Sequence, residues 1–183
     1  LLSTVRCRSL IPPALLDGIL AALTPHNLHL TLSPVPDERL ADPEYTPKML
    51  RSWACDGLLI NYNAEIPARL EEMVAKAAMP TVWINSKHEA NCVYPDDFGA
   101  ARALTERLLA AGHRRIAYAN YMAPNRVPAM HYSAVERHEG YAAAMRAAGL
   151  APRRLDRDRV LERDERVSHS LDWLRAPDAP AAV

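Results

Sequence analysis

The sequence predicts an α/β fold in which parallel sheets are flanked by helices, and three observations carry that expectation. Strand-like apolar runs alternate with helix-like runs along the chain, the signature of βαβ units. Two of the strand-like runs, Gly57-Leu58-Leu59-Ile60-Asn61 and Thr81-Val82-Trp83-Ile84-Asn85, stop abruptly in an asparagine. Two of the helix-like runs are followed by Gly112 and Gly149, the residue that most readily ends a helix.

Taken in order, Leu1 to Cys7 reads as a first strand, and the loop Arg8 to Pro13 leads into a helix over Ala14 to Leu23, where apolar residues recur at helical spacing. Asn27 to Leu32 alternates apolar with polar and reads as a second strand. Ser33 to Pro47 is rich in proline and charge, a surface loop, and Lys48 to Ala54 is a short helix before the strand Gly57 to Tyr62. A helix over Ile66 to Ala78 precedes the strand Thr81 to Asn85, and Ala90 to Tyr94 is a short apolar run ended by Pro95. Asp96 or Asp97 caps a helix over Gly99 to Ala111. Arg114 to Asn120 is a strand, and Ser133, with Glu136 three residues on, forms a capping box for a helix through Ala148. A weak strand is expected near Val160, a last helix over Ser168 to Arg175 and a last strand from Ala179. The chain divides most naturally near Val93 to Pro95, giving lobes 1–93 and 94–183.

The 183 residues are 49% apolar and 24% charged, the balance of a globular chain. Lysine plus arginine (22) equals aspartate plus glutamate (22), so the chain lacks the basic excess with which a domain grips DNA directly. Its three cysteines, Cys7, Cys55 and Cys92, are isolated, which fits a reducing compartment and not a disulfide framework. No apolar run approaches a membrane span and no signal peptide opens the chain. It begins at Leu1 inside a strand and ends at Val183 inside another, so it reads as a piece of a longer polypeptide.

Ligands of open α/β sheets sit at the carboxyl ends of the strands. Asn61 and Asn85 therefore offer two planar donor–acceptor side chains where a small polar molecule would lie, although asparagine is also a good turn residue. Arg137 falls in the first turn of the helix begun by Ser133, where a cation opposes the helix dipole and calls for a partner. That partner is either a ligand or a carboxylate: Glu136, Glu139 or Asp97. Tyr62, Trp83, Tyr121 and Tyr132 lie at or near these strand ends and loops and suit stacking on a sugar or base, with ordinary core the alternative for Trp83. The histidines show no HxxxH or HExxH spacing, and neither a P-loop, a GxGxxG nor a GxSxG occurs, so no metal, cofactor or catalytic residue is expected.

Four segments together resemble the effector-binding core of the Lac repressor/galactose repressor family of bacterial transcription regulators. They are Asp96-Asp97-Phe98-Gly99-Ala100-Ala101 running on to Gly112-His113-Arg114-Arg115-Ile116-Ala117, Ser133-x-x-x-Arg137-x-x-Gly140-Tyr141, Asp56-Gly57-Leu58-Leu59-Ile60, and Met79-Pro80-Thr81-Val82-Trp83-Ile84. The resemblance implies a two-lobed fold like the type I periplasmic binding proteins, with a small-molecule effector, often a sugar or nucleobase, in the cleft between lobes. It implies contacts from Asn61, Asn85 and Arg137, with Ser9, Pro12, Trp83 and Val93 as weaker candidates. It also implies a cytoplasmic homodimer, with operator DNA read by an N-terminal helix-turn-helix that this chain lacks and a second lobe of which the last part is missing. The alternatives are a periplasmic solute-binding protein of the same fold and a sugar-processing enzyme. Arg6 and Arg8, where the family is apolar or small, and the loop Asn120 to Tyr132 depart from the pattern.

Overall fold

A computed structural model describes residues 2–4, 11–35, 39, 42, 44–47, 50, 55–61, 66–120, 131–155, 163–177 and 179–182. The chain forms two compact units, Leu1–Pro95 and Asp96–Val183.

The first unit is built on a five-stranded sheet of order β2-β1-β3-β4-β5. Its strands are β1 (Leu2–Thr4), β2 (Ser33–Val35), β3 (Leu58–Asn61), β4 (Thr81–Ile84) and β5 (Cys92–Val93), every neighbouring pair parallel. Helix α1 (Pro13–Leu23) joins β1 to β2, and α2 (Ala68–Ala77) joins β3 to β4. The core gathers Val35, Leu58, Ile60 and Trp83 from the sheet and Leu70 from α2, with Ile60 and Leu70 wholly buried. Leu58 and Ile60 are two residues apart and so share one sheet face, which is why this short run reads so clearly.

The expected strand over Asn27 to Leu32 is not one. Thr24–His26 forms a 3-10 turn, and Asn27 caps it in the left-handed conformation (φ 55°). Leu28 and Leu32 are exposed, and the ladder to β1 begins only at Ser33, opposite Leu2. The alternating pattern is present at 28–32, but β1 lies beside 33–35, in what reads as a proline loop. Pro34 is tolerated there because β2 is the edge strand, where a missing N–H leaves no ladder bond unmade. The short helix expected over Lys48 to Ala54 lies, apart from Leu50, outside the described residues.

In the second unit helices carry the packing. They are α3 (Asp97–Ala110), α4 (Tyr132–Ala147) and α5 (Arg163–Arg175). A two-stranded parallel sheet pairs β6 (Tyr118–Ala119) with β7 (Arg154–Leu155), and Ile116 bridges to Ala182. The strand expected over Arg114 to Asn120 is thus cut to a bridge and two residues. A weak strand is expected near Val160. β7 lies earlier, at Arg154–Leu155, and Val160 itself falls outside the described residues. The last helix starts at Arg163, five residues before the expected Ser168.

Asp96 caps α3 by accepting the Gly99 N–H at 2.8 Å. Both expected glycine stops are present, Gly112 at φ 91° and Gly149 at φ 71°. Each sits in the paired hydrogen-bond pattern that closes a helix: Gly112 N to Leu109 O (3.0 Å) with His113 N to Leu108 O (3.1 Å), and Gly149 N to Arg146 O with Leu150 N to Met145 O (both 2.9 Å). The core here is Ile116, Tyr141, Ala142 and Met145. The Tyr141 hydroxyl lies 2.9 Å from the Ile116 carbonyl and 3.1 Å from that of Arg153, and accepts the Arg153 N–H at 2.8 Å. Burial raises the Tyr141 pKa, with the Arg153 N–H opposing.

The capping box is corrected as well. Helix α4 begins at Tyr132, and its N-cap is His131, whose Nδ1 accepts the Ser133 N–H at 3.4 Å and meets Ser133 Oγ at 2.7 Å. An imidazole nitrogen is an acceptor like a serine oxygen, so the cap moves two residues upstream and Ser133 is buried in the first turn.

Candidate ligand-binding site

Asn61 is the last residue of β3 and is buried. Asn85 stands one residue beyond β4, half-buried, in the left-handed region (φ 58°), with its N–H donating to the Val93 carbonyl at 2.8 Å. Strands β3 and β4 are neighbours, with Ile60 opposite Trp83. The two asparagines therefore end adjacent strands, one residue apart in register. The turn reading holds for the backbone of Asn85, since asparagine tolerates this conformation better than most residues. Ser86, which the sequence did not single out, follows it with a buried hydroxyl that has no hydrogen-bond partner among the described residues. A serine after an asparagine looks like any other turn, so nothing in the sequence marks it.

In the second unit, Arg137 is the sixth residue of α4, so it is not in the first turn as expected, and the dipole argument, which fades beyond that turn, does not apply to it. It has a partner all the same. Its Nε donates to Asp97 Oδ1 at 2.6 Å, one of the carboxylates weighed from the sequence. The pair is asymmetric: the Arg137 side chain is 57% exposed and that of Asp97 7%. Asp97 Oδ2 is buried with no hydrogen-bond partner among the described residues.

Gly140 produces this geometry. A Cβ there would collide with the Phe98 carbonyl oxygen and crowd the Arg102 nitrogen, so α3 and α4 touch backbone to backbone at this point. Arg137 lies three residues before Gly140 on α4, and Asp97 lies beside Phe98 on α3. The contact thus sets the guanidinium against the carboxylate.

The weaker candidates scatter. Trp83 is in the core of the first unit, stacked on His88 at 4.2 Å, so the ordinary-core reading describes it. Val93 is exposed in β5, and Pro12 is the exposed N-cap of α1. Ser9, Tyr62 and Tyr121 lie outside the described residues, and Tyr132 is half-buried against His131. Cavities open among the described residues of the first unit. One of about 710 Å³ is lined by Leu23, Leu28, Leu30, Leu59 and Val82, among others, and one of about 650 Å³ by Glu71, Trp83, His88 and Asn91, among others. Neither is lined by Asn61 or Asn85. Among the described residues no cluster of His, Cys, Asp or Glu could hold a metal, and no helix is long and apolar enough to cross a membrane.

Comparison with known proteins places this architecture. The chain is 29% identical over 147 residues to the HTH-type transcriptional regulator GntR of Escherichia coli K12, a match covering 74% of this chain. It spans 40% of the length of that protein. Among solved structures, it superposes on a LacI family transcriptional regulator from Enterococcus faecium with bound ribose (TM-score 0.67, 20% identity, 96% of this chain and 63% of that one). It also superposes on the transcriptional regulator CelR in complex with cellobiose (TM-score 0.64, 25% identity, 99% and 57%). The model for periplasmic binding proteins and the sugar-binding domain of the LacI family matches residues 14–174, nearly the whole chain, and the protein belongs to that family.

Proposed function

We propose that the chain is the effector-sensing part of a LacI-type transcriptional regulator. Its effector is a small hydroxylated molecule, a sugar or close relative. Asn61, Asn85 and Arg137 are its proposed contacts. Supporting this are the family, a relative that is an HTH-type transcriptional regulator, and neighbours holding ribose and cellobiose. In the whole polypeptide a helix-turn-helix head reads operator DNA, the assembly is a cytoplasmic homodimer, and no substrate is turned over. Pro12, Val93 and Ser9 remain peripheral candidates.

The observation that carries the reading is the state of Arg137. Only its Nε is engaged by Asp97, so both terminal amino groups stay uncommitted among the described residues on a half-exposed side chain. A guanidinium held by one edge presents a fork to incoming hydroxyl or carboxyl oxygens. An effector changes the regulator's state only by its differential affinity for two states, and this fork is where such a difference would arise. Arg137→Ala should weaken effector binding by about 1.5–3 kcal/mol, the range for a charged hydrogen bond. Titration calorimetry reads that directly, and unchanged affinity would remove Arg137 from the site.

A further inference from the structure

We infer that Asp97 is a specificity-determining residue that makes this site select an uncharged polyol over its carboxylate or phosphate counterpart. The inference rests on the assignment of Arg137 to the effector site. An arginine with free terminal amino groups ordinarily favours anions, because it matches a carboxylate or phosphate edge to edge. Here its charge is already answered. The buried Asp97 carboxylate sits 2.6 Å from Nε, so the two side chains together carry no net charge. The partner is also on the protected side: Asp97 is 7% exposed and Arg137 57%, so solvent screens the aspartate less than the arginine.

Asp97 Oδ2 sharpens the point. It is buried and has no donor among the described residues, so the carboxylate's negative charge stays unquenched on that side. An approaching carboxylate meets attraction from the fork and repulsion from the aspartate behind it. A hydroxyl accepts from the fork without that opposition, and pays less to leave water than an anion does. The pairing is fixed by the Gly140 contact of α3 with α4, so a ligand cannot easily pull the arginine away from its counter-charge.

The test uses matched pairs on the full chain: ribose with ribose 5-phosphate, glucose with gluconate and with glucose 6-phosphate, and cellobiose with its aldonic acid, each titrated by calorimetry. The expected wild-type result is at least a tenfold preference for the neutral member of whichever pair binds. Asp97→Asn keeps an oxygen for Nε and removes the charge. It should narrow or invert the preference by tenfold or more, with the circular-dichroism melt confirming that the variant is folded. A wild type that takes the acid as tightly as the neutral sugar overturns the inference, as does a variant in which both members weaken equally. Should Asp97→Asn not fold, Arg137→Gln supplies the second reading: with Asp97 left uncompensated, the acid must weaken more than the neutral sugar, and equal weakening sinks the idea. Failure of every pair to bind would instead refute the sugar-class effector itself, so the two failures are distinguishable.

Discussion

The two units hold their candidate residues by different means. In the first, backbone does it: Asn61 and Asn85 stand where two hydrogen-bonded strands end, over the core of Ile60, Trp83 and Leu70. In the second, the sheet is two strands of two residues each and side chains do it: Arg137 is held by a carboxylate that one close helix contact delivers. A strand end tolerates change around it as long as the ladder survives. A pinned side chain depends on a single pair of atoms and on the glycine that lets two helices touch.

The largest effect expected from breaking this comparison is in the first unit. Leu70→Ala empties a fully buried site and should cost about 2–5 kcal/mol, seen as a lower denaturation midpoint and faster amide exchange confined to β3 and β4. The matching change in the second unit is Gly140→Ala. It overpacks a backbone contact and should cost about 1–3 kcal/mol. Unlike the leucine change, it should also weaken effector binding, because α4 must back away from α3 and Arg137 with it. If Gly140→Ala lost stability but bound as wild type does, the helix contact would not be what aims Arg137. Tyr141→Phe comes next, at about 1–2 kcal/mol, because it leaves the Arg153 N–H without its acceptor. Its pH signature has a definite sign. The folded pKa is raised, so this stabilisation is complete below the unfolded value near 10 and falls away as pH climbs above it. Alkaline melting curves of wild type should therefore fall more steeply than those of Tyr141→Phe. The smallest effect is Asp96→Ala, about 1 kcal/mol for a lost cap, with fraying limited to the start of α3.

What was legible in the sequence follows from the same contrast. The strands at Leu58–Asn61 and Thr81–Ile84 and both glycine helix stops were readable, because each is specified by residues inside the element. Strand β2 was not, because its position is set by the partner β1, and a proline that reads as a loop is harmless at an edge. The His131 cap was missed because Ser133 is the more usual acceptor, and in one dimension two acceptors two residues apart are equivalent. Of the site, Arg137 and its possible partner Asp97 could be named, but the asymmetry of the pair could not. Burial of one member and exposure of the other come from the α3–α4 contact, which is forty residues apart in sequence.

The edges of the five-stranded sheet bear on behaviour in concentrated solution. An open strand edge is a template on which another chain can zip up into an aggregate. Here β2 is three residues long and interrupted by Pro34, which offers no N–H, and β5 is two residues long. Neither gives an incoming strand enough consecutive donors and acceptors to nucleate a ladder. Replacing Pro34 with a β-branched residue would lengthen the usable edge and should show up as concentration-dependent turbidity before any loss of fold.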